Sequence, residues 1–247
     1  MPLNIRRRLK ASSFLVGIIV AIRGIPLDFK VLAWTLRRRK QISNYLECPN
    51  AKKLQIGTGQ NRLEGWLNSD LRPLDRSTVY LDAAERFPFP DATFDYIFSE
   101  HVIEHLPFES GNMMLGECYR VLQPRGRIRL ATPNLERIAC LISNRKGCEE
   151  SVYIDRASSR YIPSNRSRLA ARVVNNFFWD FGHTFVYDPP ALIECLQEGG
   201  FTDVKQVQPN QSDDPNLSAC EQHGEIIGDE MNRYETMIFE ATKNGDH

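Results

Sequence analysis

The sequence has no Cys-x-x-Cys pair, no apolar run of membrane-spanning length and no net charge. Its six cysteines are scattered over 247 residues, so we expect reduced, buried thiols in a cytoplasmic protein rather than a disulfide scaffold. The longest apolar run, residues 14–22, is about half of the ~20 residues that a bilayer-spanning helix needs. Hydrophobic residues make up 42% of the chain, which excludes a globally disordered protein. This length predicts one large folded domain with additions.

The zero net charge is the sum of two unlike parts. Residues 1–53 carry twelve basic side chains but only two acidic ones, Asp28 and Glu47. The rest of the chain holds nineteen basic and twenty-nine acidic side chains, so the two excesses cancel. Basic clusters around apolar stretches are typical of a segment that lies on an anionic membrane surface, where each Lys or Arg adds ~1 kcal/mol. A solvated helical extension that packs on the main domain explains the same pattern.

Two other interpretations of the basic segment are weaker. A secretory signal would end in a small-x-small cleavage site, but a second basic block at residues 37–40 follows the apolar run instead. No helix-turn-helix or aromatic pattern accompanies the charge, so we expect no nucleic-acid partner. We predict a basic extension over residues 1–50 and a main domain over residues 51–247, located in the cytoplasm or on the inner face of the membrane. These patterns leave the oligomeric state open.

Beyond residue 52, short apolar strands alternate with helical periodicity. The predicted strands are residues 53–56, 66–70, 79–82, 94–99, 127–132, 201–207 and 234–242. Apolar residues recur at helical spacing in 109–122 and 190–197. This alternation predicts an α/β fold whose mostly parallel sheet is covered on both faces. Ligands of such sheets bind beyond the carboxyl ends of the strands.

Residues 137–180 interrupt this alternation and are predicted to be a helical insertion on the substrate side, after the fifth strand. The insertion contains an amphipathic run at 169–178, and an aromatic cluster follows at 177–183. Aromatic rings in this position can stack on a sugar or another ring, although such residues are more often part of a core. The polar, turn-rich residues 209–215 are predicted to be a surface loop.

Glycines and carboxylates follow the first three predicted strands. Gly57-Thr58-Gly59 allows a tight turn and a close approach of the backbone to a ligand. The motif does not continue as a dinucleotide fingerprint, because position 62 is Arg62. Asp70 can accept hydrogen bonds from a ribose diol, and Asp82 can accept one from an exocyclic amine. Either carboxylate can instead be an ordinary turn residue.

The succession of these motifs resembles the class I S-adenosylmethionine-dependent methyltransferases, in the subgroup called type 11. The resemblance covers roughly residues 52–135 and 181–242 and rests on an ordered series of segments. They are residues 53–59, 65–71, 81–91, 94–97, 100–106, 117–124 and 185–201. The resemblance implies a Rossmann-like, doubly wound sheet and S-adenosyl-L-methionine as the cofactor. It also suggests a small-molecule or glycan acceptor, as in cell-surface polysaccharide or secondary-metabolite pathways.

The resemblance also implies which residues hold the cofactor. The glycine loop would face its methionine moiety, Asp70 its ribose, and Asp82 with Ala83 its adenine, while Ser99 and the next two residues would border the transferable methyl group. The full set of implied cofactor-binding residues is Gly57, Thr58, Gly59, Asp70, Leu71, Asp82, Ala83, Ser99 and Glu100. Two positions depart from the family pattern, since Asn61 and Arg125 stand where glycines are common.

Methyl transfer from a sulfonium is an SN2 reaction, and a dry, preorganised pocket supplies much of its rate. An acceptor hydroxyl would also benefit from a general base, and histidine has a suitable pKa. Our candidates are His101 first, then His105, with His183 on the substrate side. A structural role for His101 and His105 explains their presence equally well.

Two functions from other classes remain open. His101-x-x-Glu104-His105 matches the spacing of an inverted zinc-peptidase motif, in which two histidines on one helical face hold zinc. Pro107 would cut such a helix short, and no third ligand stands out, so we expect no metal site. A non-catalytic binding module with a methyltransferase fold is the other alternative, because of Asn61 and Arg125.

Overall fold

The computed structural model describes residues 29–143 and 147–245. The chain divides into two compact units, residues 1–48 and 49–247. In the first unit, residues 29–46 form helix α1. The apolar run at residues 14–22, on which the membrane-surface and signal interpretations depended, lies outside the described residues. Among the helices that are described, none combines the length and the apolar composition that crossing a bilayer requires.

The second unit is built on one sheet of seven strands. The strands are β1 (Lys53–Ile56), β2 (Leu67–Asp70), β3 (Val79–Tyr80), β4 (Phe94–Glu100), β5 (Leu122–Pro133), β6 (Phe201–Val207) and β7 (Thr236–Lys243). Their order is β3-β2-β1-β4-β5-β7-β6, with parallel pairs from β1 to β5 and β7 antiparallel to both its neighbours. The predicted doubly wound, mostly parallel α/β sheet is confirmed. The strand order reverses between β1 and β4, where sheets of this kind bind their ligands.

The described part of the second unit contains seven α-helices. They are α2 (Phe108–Val121), α3 (Leu135–Cys140), α4 (Cys148–Tyr161), α5 (Ala170–Trp179), α6 (Pro189–Glu198), α7 (His223–Ile227) and α8 (Asp229–Glu235). The helical periodicity of the sequence predicted α2, α5 and α6 to within a residue or two. The Asp188 side chain begins α6 by accepting the Ala191 N–H at 2.9 Å, ahead of Pro189 in the first turn.

The first four strands are joined by loops rather than by helices. The segments 57–66, 71–78 and 81–93, which join the first four strands, contain no helix. A parallel crossover with a helix needs a dozen or more residues, and 57–66 is shorter than that. The last strand also begins later than predicted, because Tyr234 belongs to α8.

One face of the sheet is apolar. Leu54, Ile97 and Ile128 lie side by side in register and are fully buried. Helix α2 connects two adjacent strands, and its buried stripe of apolar residues extends this core. The largest of these helical residues are Met114 and Leu115, both fully buried. Burial of a side chain of this size stabilises a fold by ~1.5–3 kcal/mol.

The opposite face carries buried polar residues and is covered by a turn-rich segment, residues 208–222. Arg129 lies opposite Glu240 on this face, and neither side chain is exposed to solvent. The Arg129 guanidinium donates to the carboxylates of Glu221 and Glu240 and to the carbonyl oxygen of Gln211. Apolar contacts complete the cover, in a cluster of Trp66, Phe98, Leu217 and Cys220. The predicted surface loop at 209–215 is therefore part of the layer that closes this face.

All six cysteines are free. Cys118, Cys195 and Cys220 are buried, as predicted for every cysteine. The prediction of burial is wrong for the other three cysteines, Cys48, Cys140 and Cys148, which are exposed.

Candidate functional site

The glycine loop turns directly after β1, at the point where the strand order reverses. Gly57 and Gly59 have φ angles of 74° and 52°, which L side chains rarely adopt. The N–H groups of Gly57 and Thr58 both donate to the Ser69 carbonyl oxygen, at 2.9 and 3.0 Å. A Cβ atom on Gly57 would lie 2.0 Å from Val102 Cγ2, so only glycine lets the segment after β4 rest on this loop.

Asp70, at the end of β2, ties the neighbouring turns together. Its Oδ2 accepts the Gly59 N–H at 2.8 Å and its Oδ1 accepts the Arg72 N–H at 2.7 Å. Each carboxylate oxygen has a second acceptor site, so the side chain remains able to receive two hydroxyl groups. Leu71, the next residue, is half exposed. At Asn61, where the family has a glycine, the Gln55 side chain holds the loop by donating to the Asn61 carbonyl oxygen at 2.7 Å.

The residues after β3 and β4 complete this edge of the sheet. Asp82 Oδ1 accepts the Ala84 N–H at 2.9 Å, which forms a tight turn that buries Ala83. Ser99 is buried opposite Ile56 of β1. The structure thus places the predicted cofactor-binding residues at the ends of four strands, β1 to β4, along one edge of the sheet.

Glu100, unlike Asp70 and Asp82, uses its carboxylate to hold a distant part of the chain. It accepts the backbone N–H groups of Gln222 and His223 at 3.0–3.2 Å and so holds the start of α7. Burial raises the pKa of Glu100 above its usual value, and these hydrogen bonds oppose that shift.

Four of the five histidines in the chain line one cavity of about 250 Å³. They are His101, His105, His183 and His223. The three histidines that the sequence selected as catalytic candidates therefore lie together. The fourth, His223, was missed, although its ring stacks on that of His101 with 3.9 Å between the centroids.

His101 is paired with a buried carboxylate. Its Nδ1 lies 2.9 Å from Oε1 of Glu104, whose side chain is fully buried, and its Nε2 lies 3.2 Å from Thr236 Oγ1. Burial by itself lowers the pKa of His101, but the hydrogen bond and charge of Glu104 outweigh it and raise that pKa above its usual value. The Thr236 hydroxyl also donates to Asn232 Oδ1 at 2.8 Å.

His105 and His183 occupy the other side of the cavity. Nδ1 of His105 lies 3.2 Å from the Gly182 carbonyl oxygen, and the two imidazole rings are 4.9 Å apart. Nδ1 of His183 is buried and has no hydrogen-bond partner within the described ranges. Burial lowers the pKa of His183 to about 4, so its ring is neutral at physiological pH.

The helix that the zinc-peptidase motif requires does not form. His101 has a φ of 51°, and only a single 3-10 turn, Ile103–His105, follows it. His101 faces Thr236 and His105 faces Gly182, so these two histidines do not share a helical face.

The insertion and the helices α7 and α8 build a second core beside the cavity. Its largest buried members include Tyr153, Phe177 and Tyr234. Of the aromatic cluster, Phe177 is buried against His183, Phe181 lines the cavity, and Trp179 is 80% exposed. The aromatic residues are thus divided between core, cavity wall and surface.

Sequence reasoning missed α7 and α8, and with them Glu235, which also lines the cavity. The Glu235 side chain accepts a hydrogen bond from Tyr153 and lies 3.5 Å from His223. Asp229 and Glu230 in the first turn of α8, just after Gly228, were the signal that could have revealed this helix.

Comparisons with known proteins give a family match and similar solved structures. Residues 54–130 match the family model described as a methyltransferase domain, of type 11. A search of curated proteins gives no match. Among solved structures, an S-adenosylmethionine-dependent methyltransferase of Archaeoglobus fulgidus is 20% identical, with 86% of this chain and 93% of that chain covered and a TM-score of 0.47.

Two further structures have lower identity. Phosphoethanolamine N-methyltransferase 2 of Haemonchus contortus, in complex with S-adenosyl-L-methionine, is 13% identical over 84% of this chain and 52% of that chain, with a TM-score of 0.43. An S-adenosylmethionine-dependent methyltransferase of Thermotoga maritima is 15% identical over 87% and 95%, with a TM-score of 0.43. The family match spans β1 to β5, the part of the sheet that carries the glycine loop. Residues 54–130, about a third of the chain, are therefore similar to a methyltransferase domain of type 11.

Proposed function

We propose that the enzyme transfers a methyl group to a hydroxyl of a small acceptor bound in the histidine cavity. One contact carries this proposal. Val102 rests on Gly57, so the glycine loop lies directly against the segment that bears His101. A ligand on the loop and a ligand in the cavity would therefore be neighbours, as transfer between them requires.

The residues at the sheet edge fit the cofactor. The Thr58 hydroxyl is buried without a hydrogen-bond partner in the described part of the chain, so it is free to bond a ligand. A Cβ atom on Gly59 would meet nothing within 4 Å, which leaves room for a ligand to approach the backbone. The unused acceptor sites of Asp70 suit a ribose diol. In this proposal Asp82 and Ala83 hold the adenine, and Leu71, Ser99 and Glu100 border the site.

When bound, S-adenosylmethionine supplies a methyl group activated by a sulfonium. The chain itself has to align the acceptor, exclude water and receive the acceptor's proton. We assign the last task to Nε2 of the neutral His101 ring, in which Nδ1 keeps its proton toward Glu104 and Nε2 carries the lone pair. The Glu104 carboxylate fixes the ring through Nδ1 and stabilises the charge that the ring gains. An acceptor hydroxyl would replace Thr236 as the partner of Nε2, while His105 and His183 contact the acceptor from the opposite wall.

The size of the cavity limits the acceptor. Its volume of about 250 Å³ lies below the ~300–1,000 Å³ of sites for drug-sized ligands. Phe181 and Tyr161 add aromatic surface on which a ring can stack. These features support a small molecule, or the terminal ring of a glycan, as the acceptor.

Two substitutions test separately the binding of the cofactor by Asp70 and the role of His101 as a base. Asp70→Asn should weaken S-adenosylmethionine binding at least tenfold in calorimetry, because an amide offers only one acceptor oxygen. His101→Asn should leave that affinity within about twofold and lower turnover ~10²–10⁴-fold in a radiolabelled methyl-transfer assay against a panel of hydroxylated acceptors. Equal losses of affinity and turnover in His101→Asn would refute its role as a base. If the wild-type protein folds but does not bind the cofactor, the non-catalytic module becomes the better interpretation.

We also propose that α1 attaches the enzyme to the cytoplasmic, anionic face of a membrane. Phe29, Leu32 and Leu36 are all more than half exposed, and their spacing places them on one side of the helix. The basic block of residues 37–40 continues this helix. An apolar stripe next to basic residues is the composition of helices that bind the surface of anionic membranes.

Vesicle cosedimentation tests this attachment. Leu32→Glu should weaken binding to anionic vesicles ~10-fold or more, because the leucine contributes ~1.5–3 kcal/mol when buried in the interface. Gln41→Glu introduces the same negative charge on the opposite side of α1, nine residues from Leu32. This control variant should bind the vesicles nearly as well as the wild type. Equal binding by wild type and Leu32→Glu would exclude this surface.

A further inference from the structure

His105 and His183 line the cavity, and the fully buried Glu104 lies beside them. One possible ligand atom from each of the three lies within 4.8 Å of the other two. Glu104 and His105 come from the 3-10 turn after β4, whereas His183 comes from the loop after α5. Glu104 and His105 are adjacent in the sequence, and the fold brings the distant His183 to them.

His183 gives an independent indication of a missing ligand. Its Nδ1 is buried and has no hydrogen-bond partner within residues 29–143 and 147–245. Buried polar atoms in proteins nearly always have a partner, so a nitrogen left alone in a cavity wall needs an explanation. The neutral ring keeps a lone pair that can bind a metal ion.

The hydrogen bonds of the other two residues leave ligand atoms free. Because Nδ1 of His105 donates to the Gly182 carbonyl oxygen, Nε2 carries the lone pair. A backbone carbonyl that fixes the ring in this way is the usual outer partner of a metal-binding histidine. The Glu104 carboxylate is held by His101 on Oε1 and by Thr132 on Oε2, and each oxygen retains an acceptor site.

We propose that Glu104, His105 and His183 bind one divalent transition-metal ion, of which Zn²⁺ is the best match. Two imidazole nitrogens and one carboxylate oxygen are a common ligand set for zinc, with a fourth position left for water or a substrate oxygen. This set shares two residues with the sequence motif but replaces His101 by His183, and it departs from the prediction of no metal site. The proposal does not depend on the acceptor or on methyl transfer.

The test uses the untagged full-length chain after chelator treatment and dialysis. Its exposed cysteines are first blocked with iodoacetamide, because free thiolates also bind zinc. We expect calorimetry with ZnCl₂ and elemental analysis to give one ion per chain. His105→Ala and His183→Ala should each weaken binding at least tenfold. His223→Ala is the matched control, since it removes a histidine from the same cavity that is not in the ligand set, and it should bind within about threefold of the wild type.

Circular dichroism should show that each variant is folded. If His183→Ala does not fold, Co²⁺ added to the wild-type chain should give visible absorption bands of a nitrogen- and oxygen-ligated ion, which Zn²⁺ displaces. No stoichiometric binding by the wild type would overturn the proposal, and so would equal loss of affinity in the His223→Ala control. Because no readout involves the cofactor or an acceptor, failure here leaves the proposed methyl transfer untouched.

Discussion

The two glycines after β1 have the same sign of φ but different surroundings, which gives a sharp prediction. Alanine in this conformation costs ~1–2 kcal/mol at either position. At Gly57 the new Cβ would also lie 2.0 Å from Val102 Cγ2, whereas at Gly59 it would meet nothing within 4 Å. Overpacking of this kind adds ~1–3 kcal/mol. We therefore expect a total loss of ~2–5 kcal/mol for Gly57→Ala and ~1–2 kcal/mol for Gly59→Ala.

Urea unfolding followed by circular dichroism measures these losses, and a double-mutant cycle with Val102→Ala isolates their cause. Removing the Val102 methyl groups should recover ~1–3 kcal/mol in the Gly57→Ala background and nothing in the Gly59→Ala background. Equal destabilisation by the two single variants, or a coupling energy near zero at Gly57, would refute the argument.

Gly59→Ala should affect the affinity for the cofactor more than it affects the free energy of unfolding. In our proposal the space above Gly59 is where S-adenosylmethionine approaches the backbone. Gly59→Ala should therefore weaken the cofactor at least tenfold in calorimetry although the protein is only slightly less stable. Unchanged affinity in Gly59→Ala would place the cofactor elsewhere.

The remaining predictions concern the polar face and α2. Arg129→Ala should lower the free energy of unfolding in urea by ~3–5 kcal/mol, because it leaves the buried Glu221 without its guanidinium partner. Arg62→Ala removes a half-exposed ion pair and should lower it by at most about 1 kcal/mol. Similar losses in the two variants would contradict this reasoning. The hydrogen bond from Arg120 lowers the pKa of Glu117 below its usual value, so its stabilisation is present above pH 4.5 and lost as pH falls through the lowered pKa. Glu117→Gln should reduce stability at pH 7 and converge with the wild type in acid, and a constant difference across this range would exclude the ion pair as the cause.

Local sequence patterns predicted most of the sheet. Alternation and short apolar runs indicated β1, β4 and β6 with little error, since burial on a sheet face is encoded residue by residue. Helix α2 was equally clear, because its apolar residues repeat at helical spacing over fourteen residues. The short α7 was not predicted, because five residues give too little periodicity and the helix depends on its tertiary partners.

Local sequence patterns could not predict the ion-pair partners of Arg129. Arg129 lies within β5 between two apolar residues, Ile128 and Leu130. Nothing near it in the sequence identifies Glu221 or Glu240 as its partners. The three residues meet only because β7 lies beside β5 and residues 208–222 fold back over the sheet. A buried charge in a strand indicates that a partner exists but not where in the chain it lies.

By itself, the sequence determined the strand-ending glycine loop and the carboxylates that follow the next strands, and hence the resemblance to the methyltransferases, because these features depend on neighbouring residues. The tertiary structure alone decided that His101, His105, His183 and His223 line one cavity, and that His183 lies beside Glu104 and His105. Residues this far apart in the chain are brought together by packing of the insertion and the C-terminal helices, and no local periodicity encodes that choice.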